Sequence, residues 1–338
     1  MGVIRIPFDE VRLHLKNVLL AYGCPEDKAD KTAHEMTRNS LEGVYTHGIN
    51  RFVRLVRNIE DGILKPEQNP VIVSGSGAIM RVDGQLGLGV PNAWFCMGEA
   101  IRLAGQYGIG LVALKNTNHW MRAATYGYQA CDAGMAAVCF TNTIPNMPTW
   151  GAVDSRIGNN PLVLAFPRKG GHLITDMAMS QFSYGALELA RLRGRQMEID
   201  AGFDMDGNLT KDPDSVIRSQ RILPTGYWKG AALSFMLDIF AGALSEGNTV
   251  SGVGKLEGDE HGVSQVFLAI DYKKMVPEET AASIVEQAVL DLLASKKAEG
   301  TRRIIYTGEL AEEYREENSR NGIPVDERVW EEIMALKA

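Results

Sequence analysis

The sequence predicts an α/β protein whose body is flanked by a helical unit drawn from both chain termini. Three observations predict it. Between about residues 70 and 300, short apolar, β-branched runs alternate with helix-period segments, the pattern of an α/β body. Before residue 68 and after residue 304 the texture is helical throughout. No internal repeat or low-complexity linker interrupts the chain, so the two helical ends are expected to pack together, as residues 1–68 with 304–338, beside a body at 69–303.

Each element follows from its spacing. Val11, Leu15, Val18, Leu19 and Tyr22 recur at helical intervals in 8–22, with Asp9 a candidate cap and Gly23 a stop. Residues 26–43 and 50–62 read as two further helices. PVIVSGSGAIMRVDGQLGLG then reads as two strands around a Gly-Ser-Gly turn. A helix near 91–107, the strand IGLVALKNT, a helix near 121–133 and the strand GMAAVCFTNT follow. PLVLAFPR and HLITDMAM are strands, 178–192 a helix, and 202–226 a polar, irregular excursion. WKGAALSFMLDIFAGALS, 228–245, is apolar almost all round and is expected to be a buried helix. SQVFLAIDY is a strand and 278–299 an amphipathic helix.

Composition narrows the class of function. The 338 residues are 45% hydrophobic and 23% charged, with a net charge of −7; these are values of a globular protein with no basic stripe for nucleic acid. Cys24, Cys96, Cys131 and Cys139 show no CxxC spacing and no zinc-like Cys/His grouping, so four free thiols and no metal are expected. MGVIRIPFDE lacks a basic start followed by an apolar run, and position 6 is Ile6 where myristoylation needs Ser or Thr. With no run of 18 apolar residues, the expectation is a cytoplasmic protein with no membrane partner.

Cofactor signatures are sparse. No strict G-x-G-x-x-G and no Walker A loop occurs, so a dinucleotide would need an unusual fold, or none is bound. FDMDGNLTKDP puts glycine at the wrong place for an EF-hand and reads as a polar turn. Of six histidines, His14 and His34 sit inside helices and His172 and His261 in Gly-flanked polar stretches. His47 and His119 stand apart. VYTHGINRF places His47 just past a helix end with Arg51 four residues on, and His119 follows the strand LVALKNT at an end where α/β sheets bind ligands. A near-neutral base beside a fork-shaped cation suits chemistry on an anionic carbonyl compound.

THGINR, KNTNHW, GNNP, DMAMS and ILPTGYWKG, in this order, resemble the malate/L-lactate dehydrogenase-like family of NAD(P)-dependent reductases over essentially the whole chain. The resemblance implies a non-Rossmann, mixed-sheet cofactor domain, which would account for the missing glycine signature. It implies hydride transfer from NAD as NADH, with NADP the alternative, to a small anionic keto acid. It also implies a homodimer with sites near the subunit interface. The proton donor falls on His47, with Arg51 in the same motif and His119 as a second acid/base. Cofactor contacts fall on Thr46, on Ile174, Thr175, Asp176, Met177 and Ala178, on Trp228 and Lys229, on Gly308, Glu309 and Leu310, and more weakly on Thr141 and Asn142. Relatives that act on other 2-oxo acids, 2-hydroxy acids or cyclic imines, and a non-catalytic nucleotide binder, are the competing readings. A hydrolase lacks the G-x-S-x-G elbow.

Overall fold

A seven-stranded mixed sheet lies at the centre of the computed structural model, which describes residues 2–338. In chain order the elements begin with β1 (Val3–Ile6), α1 (Phe8–Ala21) and α2 (Glu26–Leu41). Two 3₁₀ turns, Tyr45–His47 and Ile49–Arg51, lead into α3 (Phe52–Glu60). Then come β2 (Val71–Ser76), β3 (Ile79–Asp83), α4 (Gly89–Tyr107), β4 (Ile109–Thr117), α5 (Ala124–Asp132) and β5 (Ala136–Thr141). The short β6 (Met147–Pro148) and β7 (Ser155–Ile157) precede β8 (Leu162–Phe166), β9 (Leu173–Met177) and α6 (Tyr184–Leu192). After β10 (Gly202–Phe203), β11 (Leu209–Thr210) and α7 (Pro213–Ser219) come α8 (Trp228–Ser245), α9 (Val250–Val253) and β12 (Val263–Ile270). The chain closes with α10 (Glu278–Leu293), α11 (Glu309–Asn321), β13 (Ile323–Asp326) and α12 (Glu327–Met334).

The sheet order is β2-β3-β4-β12-β5-β8-β9, and only the β3–β4 pair is parallel. A doubly wound dinucleotide fold is mostly parallel; this one is α/β and mixed. Period-2 alternation buries β4 on both faces. Val112 and Leu114 face α4 and α5 together with Trp120, Tyr126 and Phe267, while Ala113 faces the α8 side with Phe140 and Val266. A separate core joins the chain ends: Val11, Leu15, Phe52 and Val56 pack with Ile323, Val325 and Ile333, and β1 pairs antiparallel with β13.

Several elements differ from the sequence expectation. Pro7, not Asp9, occupies the cap position of α1, and Asp9 falls in its first turn, where a carboxylate still favours the helix dipole. The third helix starts at Phe52, so Arg51 stands at its cap position and not within its first turn. Helix α6 begins at Tyr184, capped by Ser183. The excursion at 202–226 holds a small hairpin and α7, capped by Asp212. Helix α8 is only half buried: Ala231, Ser234, Leu237 and Ala241 face the sheet, while Phe235, Met236 and Phe240 are exposed. Among the described residues no helix is long and apolar enough to cross a membrane.

Candidate active site

The C-terminus of α2 fixes the His47 turn from both sides. Asn39 Nδ2 donates to the His47 carbonyl at 2.9 Å, and the Ile49 amide donates to Ser40 Oγ at 2.9 Å. Gly48 between them has no room for a side chain, since a Cβ there would lie 2.1 Å from Ser40 Oγ and 2.8 Å from the Met36 carbonyl. The His-Gly pairing is thus a packing requirement: the turn presses directly on α2.

His119 is held with equal care. Asn118 Nδ2 donates to the carbonyls of Leu86 (2.8 Å) and Gly87 (2.9 Å). On its other side Trp120 is buried against Tyr126 and Phe267. The backbone takes φ values of +52° at Asn116 and +63° at Met121, strained for side-chain-bearing residues. The turn at Met121 directs its amide to His119 Nδ1 at 3.0 Å. Nδ1 is therefore an acceptor, and the neutral ring carries its proton on Nε2.

The two turns bring the imidazoles of His47 and His119 into a stack, with centroids 5.5 Å apart and planes inclined by 21°. Thr46 Oγ1 lies 3.0 Å from His47 Nδ1. Both rings face a cleft of about 1260 Å³, lined also by Arg51, Arg122 and Glu260. Burial, then the charges of Arg51 and Arg122, push His47 down to about 4. Burial, Arg51 and His47 likewise hold His119 well below the usual histidine range. The near-neutral donor expected from the residue type is thus held as a neutral imidazole by burial and the two guanidiniums.

The cations divide into paired and unpaired. Arg54 is held by Asp259. Arg122 joins Arg38 and Arg315 around the buried carboxylate of Glu42. Burial alone would raise Glu42, but the three guanidiniums outweigh it and hold it below the usual range. Arg51 makes no ion pair among the described residues and borders the cleft. Its charge disfavours protonation of both histidines, so an anion bound to it would relieve both.

The other expected residues sort by position. Thr46, Ile174, Thr175, Asp176, Ala178, Gly308 and Leu310 line the same cleft. The Asp176 carboxylate accepts the Ala124 amide at the start of α5 at 2.8 Å. Thr307 Oγ1 donates to the Ile174 carbonyl at 2.6 Å, clamping the two stretches together. Gly308 has φ +100°, and a Cβ would lie 2.8 Å from the His172 carbonyl, so only glycine fits that approach. Met177 is exposed, and Glu309 accepts the Tyr306 amide and pairs with Arg303. Thr141 and Asn142 are buried beside the cleft wall: Asn142 Nδ2 donates to Asp238 at 2.9 Å and the Ser264 amide donates to Asn142 Oδ1 at 2.8 Å. Trp228 and Lys229 are exposed at the start of α8, outside this cleft. Sequence reasoning missed Arg122 and Glu260. Arg122 lies three residues past His119, and a charge that close to a candidate histidine was the available signal.

No group of His, Cys, Asp or Glu suited to a metal ion occurs among the described residues. A cleft of this size admits an extended dinucleotide, and the glycine-only approach at Gly308, near Thr175, Asp176 and Ala178 of the cleft lining, is the kind of cradle that a pyrophosphate or ribose needs.

Comparisons with known proteins point the same way. A family profile described as malate/L-lactate dehydrogenase matches residues 6–334. The chain is 42% identical over 333 residues to a 2,3-diketo-L-gulonate reductase of Citrobacter koseri, covering 98% of this chain and 100% of that one. Among solved structures, a malate dehydrogenase of Pyrococcus horikoshii OT3 superposes with a TM-score of 0.89 at 30% identity, covering 98% of this chain and 93% of that one. A sulfolactate dehydrogenase of Methanocaldococcus jannaschii superposes at 0.90 with 27% identity, covering 98% and 95%.

Proposed function

The chain belongs to the malate/L-lactate dehydrogenase family of oxidoreductases, and from that premise we propose that it reduces 2,3-diketo-L-gulonate to 3-keto-L-gulonate with NADH. The observation that carries the proposal is the stacked His47–His119 pair, beside an Arg51 with no ion pair among the described residues, in one cleft with Ile174, Thr175, Asp176, Ala178 and Gly308. The full-length likeness to reductases of that name supports this choice of substrate.

Arg51 grips the substrate carboxylate with its planar fork. His47 is depressed by burial first and then by Arg51 and Arg122; the bound carboxylate offsets the Arg51 charge and its own negative charge favours the protonated ring. His47 then holds Nδ1–H toward Thr46 Oγ1 and offers Nε2–H to the ketone oxygen as negative charge develops there. His119 cannot take that role in the same way, because its Nδ1 is committed to the Met121 amide. It offers a fixed Nε2–H to a second oxygen. A nicotinamide cofactor supplies the hydride when bound. Thr175, Asp176, Ala178, Gly308 and Leu310 line its path. NADPH is the alternative cofactor.

The division into 1–68 with 304–338 and 69–303 is part of the same proposal, as is a homodimer acting in the cytoplasm. The dimer has support in the exposed Phe235, Met236 and Phe240 of α8 and Ile284 and Leu290 of α10, apolar surface that a second copy would cover. Trp228 and Lys229 open that helix and are exposed with it. The test is NADH absorbance decay against 2,3-diketo-L-gulonate, short 2-oxo acids and a cyclic imine. The diketo acid is expected to give the highest kcat/KM; no decay above background with any of them would end the reductase reading.

A further inference from the structure

Two opposite charges in the cleft lack an ion-pair partner once the others are assigned. Glu42 and Arg122 pair with each other, Glu188 pairs with Arg191, Arg54 pairs with Asp259, and Asp176 accepts the Ala124 amide. His47 and His119 are neutral. Of the charged side chains lining the cleft, Arg51 and Glu260 remain. Both also border a second, water-sized cavity of about 20 Å³, together with His119. Although they share two cavities, they form no ion pair with each other.

The fold keeps the two apart. Arg51 and Arg54 stand three positions apart where α3 begins, and they meet two consecutive carboxylates, Asp259 and Glu260. Only one of the two pairs closes. Arg54 grips both oxygens of Asp259 through Nε and Nη2. Asn58 Nδ2 and the Glu260 amide donate to the same carboxylate at 3.0 and 2.8 Å. That fixes the 259–260 turn against α3. The Glu260 side chain is tied separately: its Oε2 accepts the Ile144 amide at 3.1 Å. Its Oε1 has no partner among the described residues and is not sealed in the interior, and the same holds for the guanidinium nitrogens of Arg51. Burial raises Glu260, while Arg51, the Ile144 amide and Arg54 act against it and favour the ionised form.

The charge balance then decides what fits. Arg51 and Glu260 sum to zero. An acid with one carboxylate adds one negative charge, which the proton gained by His47 offsets. A short diacid adds a second negative charge that no free cation in the cleft answers, and it faces the open oxygen of Glu260. Like charges in a site partly shielded from water repel far more than they do in solution. We propose that Glu260 is a specificity-determining residue that admits acids with one carboxylate and rejects dicarboxylates at the Arg51 grip. The proposal deepens the reductase reading and rests on it for the role of Arg51.

The test is calorimetric binding to the NADH-saturated full-length protein, so no turnover is needed. The probes are 2-hydroxybutanoate and malate, which share four carbons, one carboxylate and the 2-hydroxyl and differ in a terminal methyl against a second carboxylate. Wild type is expected to bind 2-hydroxybutanoate at least tenfold more tightly than malate. Glu260→Gln keeps the shape and the acceptor for the Ile144 amide but removes the charge, and should cut that ratio about tenfold, mainly through tighter malate binding. Glu260→Asp keeps the charge and should retain most of the ratio. Equal affinities in wild type, a ratio that survives in Glu260→Gln, or equal losses in the Gln and Asp variants would each overturn the charge filter. Binding of neither acid to wild type would remove the Arg51 grip and overturn it too. Failure of wild type to consume NADH with the diketo acid would instead strike the activity reading, because the binding ratio is measured without it.

Discussion

The histidine end of the cleft and helix α8 are both function-bearing by family resemblance, yet they are completed in different ways. Around His47, nearly every polar group has a partner in the same chain: Asn39 and Ser40 hold the turn, Met121 holds His119, and Glu42 gathers three arginines. Among the described residues Arg51 makes no ion pair, and on the proposed function it takes a small anion. Helix α8 is finished on one side only. Ala231 and Leu237 seal against the sheet while Phe235 and Phe240 face outward. On the proposed function the first region takes a ligand and the second a further copy of the protein. An unpaired charge in a lined cleft and an unpaired apolar face are different kinds of incompleteness, and different substitutions expose them.

The largest effect in that contrast is expected at Arg51. Arg51→Ala should raise KM for the diketo acid roughly a hundredfold or more, since a charge-assisted fork is lost. It should leave the sedimentation of the protein unchanged. A KM near that of wild type would remove Arg51 as the carboxylate grip. Phe240→Glu should do the reverse. It places a charge on the apolar side of α8 and is expected to convert dimer to monomer in analytical ultracentrifugation, with kcat/KM down on the order of tenfold. A variant that sediments as wild type would remove this face of α8 as a dimer contact, and a wild type that sediments as a monomer would end the dimer reading.

The smallest effect concerns stability. His47 sits at about 4 in the folded chain against an ordinary value of 6.5, and His119 is shifted in the same direction. The unfolded chain therefore binds protons first as pH falls. The stabilising contribution is complete above about 6.5 and is lost as pH drops toward 4. For His47 the loss is at most roughly 3 kcal/mol, less where water in the cleft screens the ring. His47→Gln should flatten the fall in Tm between pH 6.5 and 4.5; an unchanged slope would mean that His47 is not depressed.

The sequence was most readable where chemistry is local. His47, Gly48 and Arg51 stand within five positions, and the spacing alone marks them. The physical reason for Gly48 was not readable, because Ser40 and Met36 approach it across a turn. Long-range pairing hid more. Strands β1 and β13 have four residues each and lie more than 300 positions apart, so no periodicity announces them. Asn142 is committed to Asp238 and Ser264, about a hundred positions away, which no local pattern could reveal. Helix α8 misled for a different reason. Its all-round apolar sequence implies burial on every side, and the sheet covers only one. The mixed sheet was accessible only through resemblance, since strand order is set by contacts that alternation does not encode.

The proposed reduction turns on His47 giving its proton to a ketone oxygen. Single-turnover stopped flow, with NADH bound and 2,3-diketo-L-gulonate in excess, measures that step directly when wild type is set against His47→Gln. The expected result is a 10²- to 10⁴-fold slower decay of NADH absorbance, with NADH affinity by fluorescence within about twofold of wild type. A His47→Gln protein that consumes NADH at nearly the wild-type rate would contradict it.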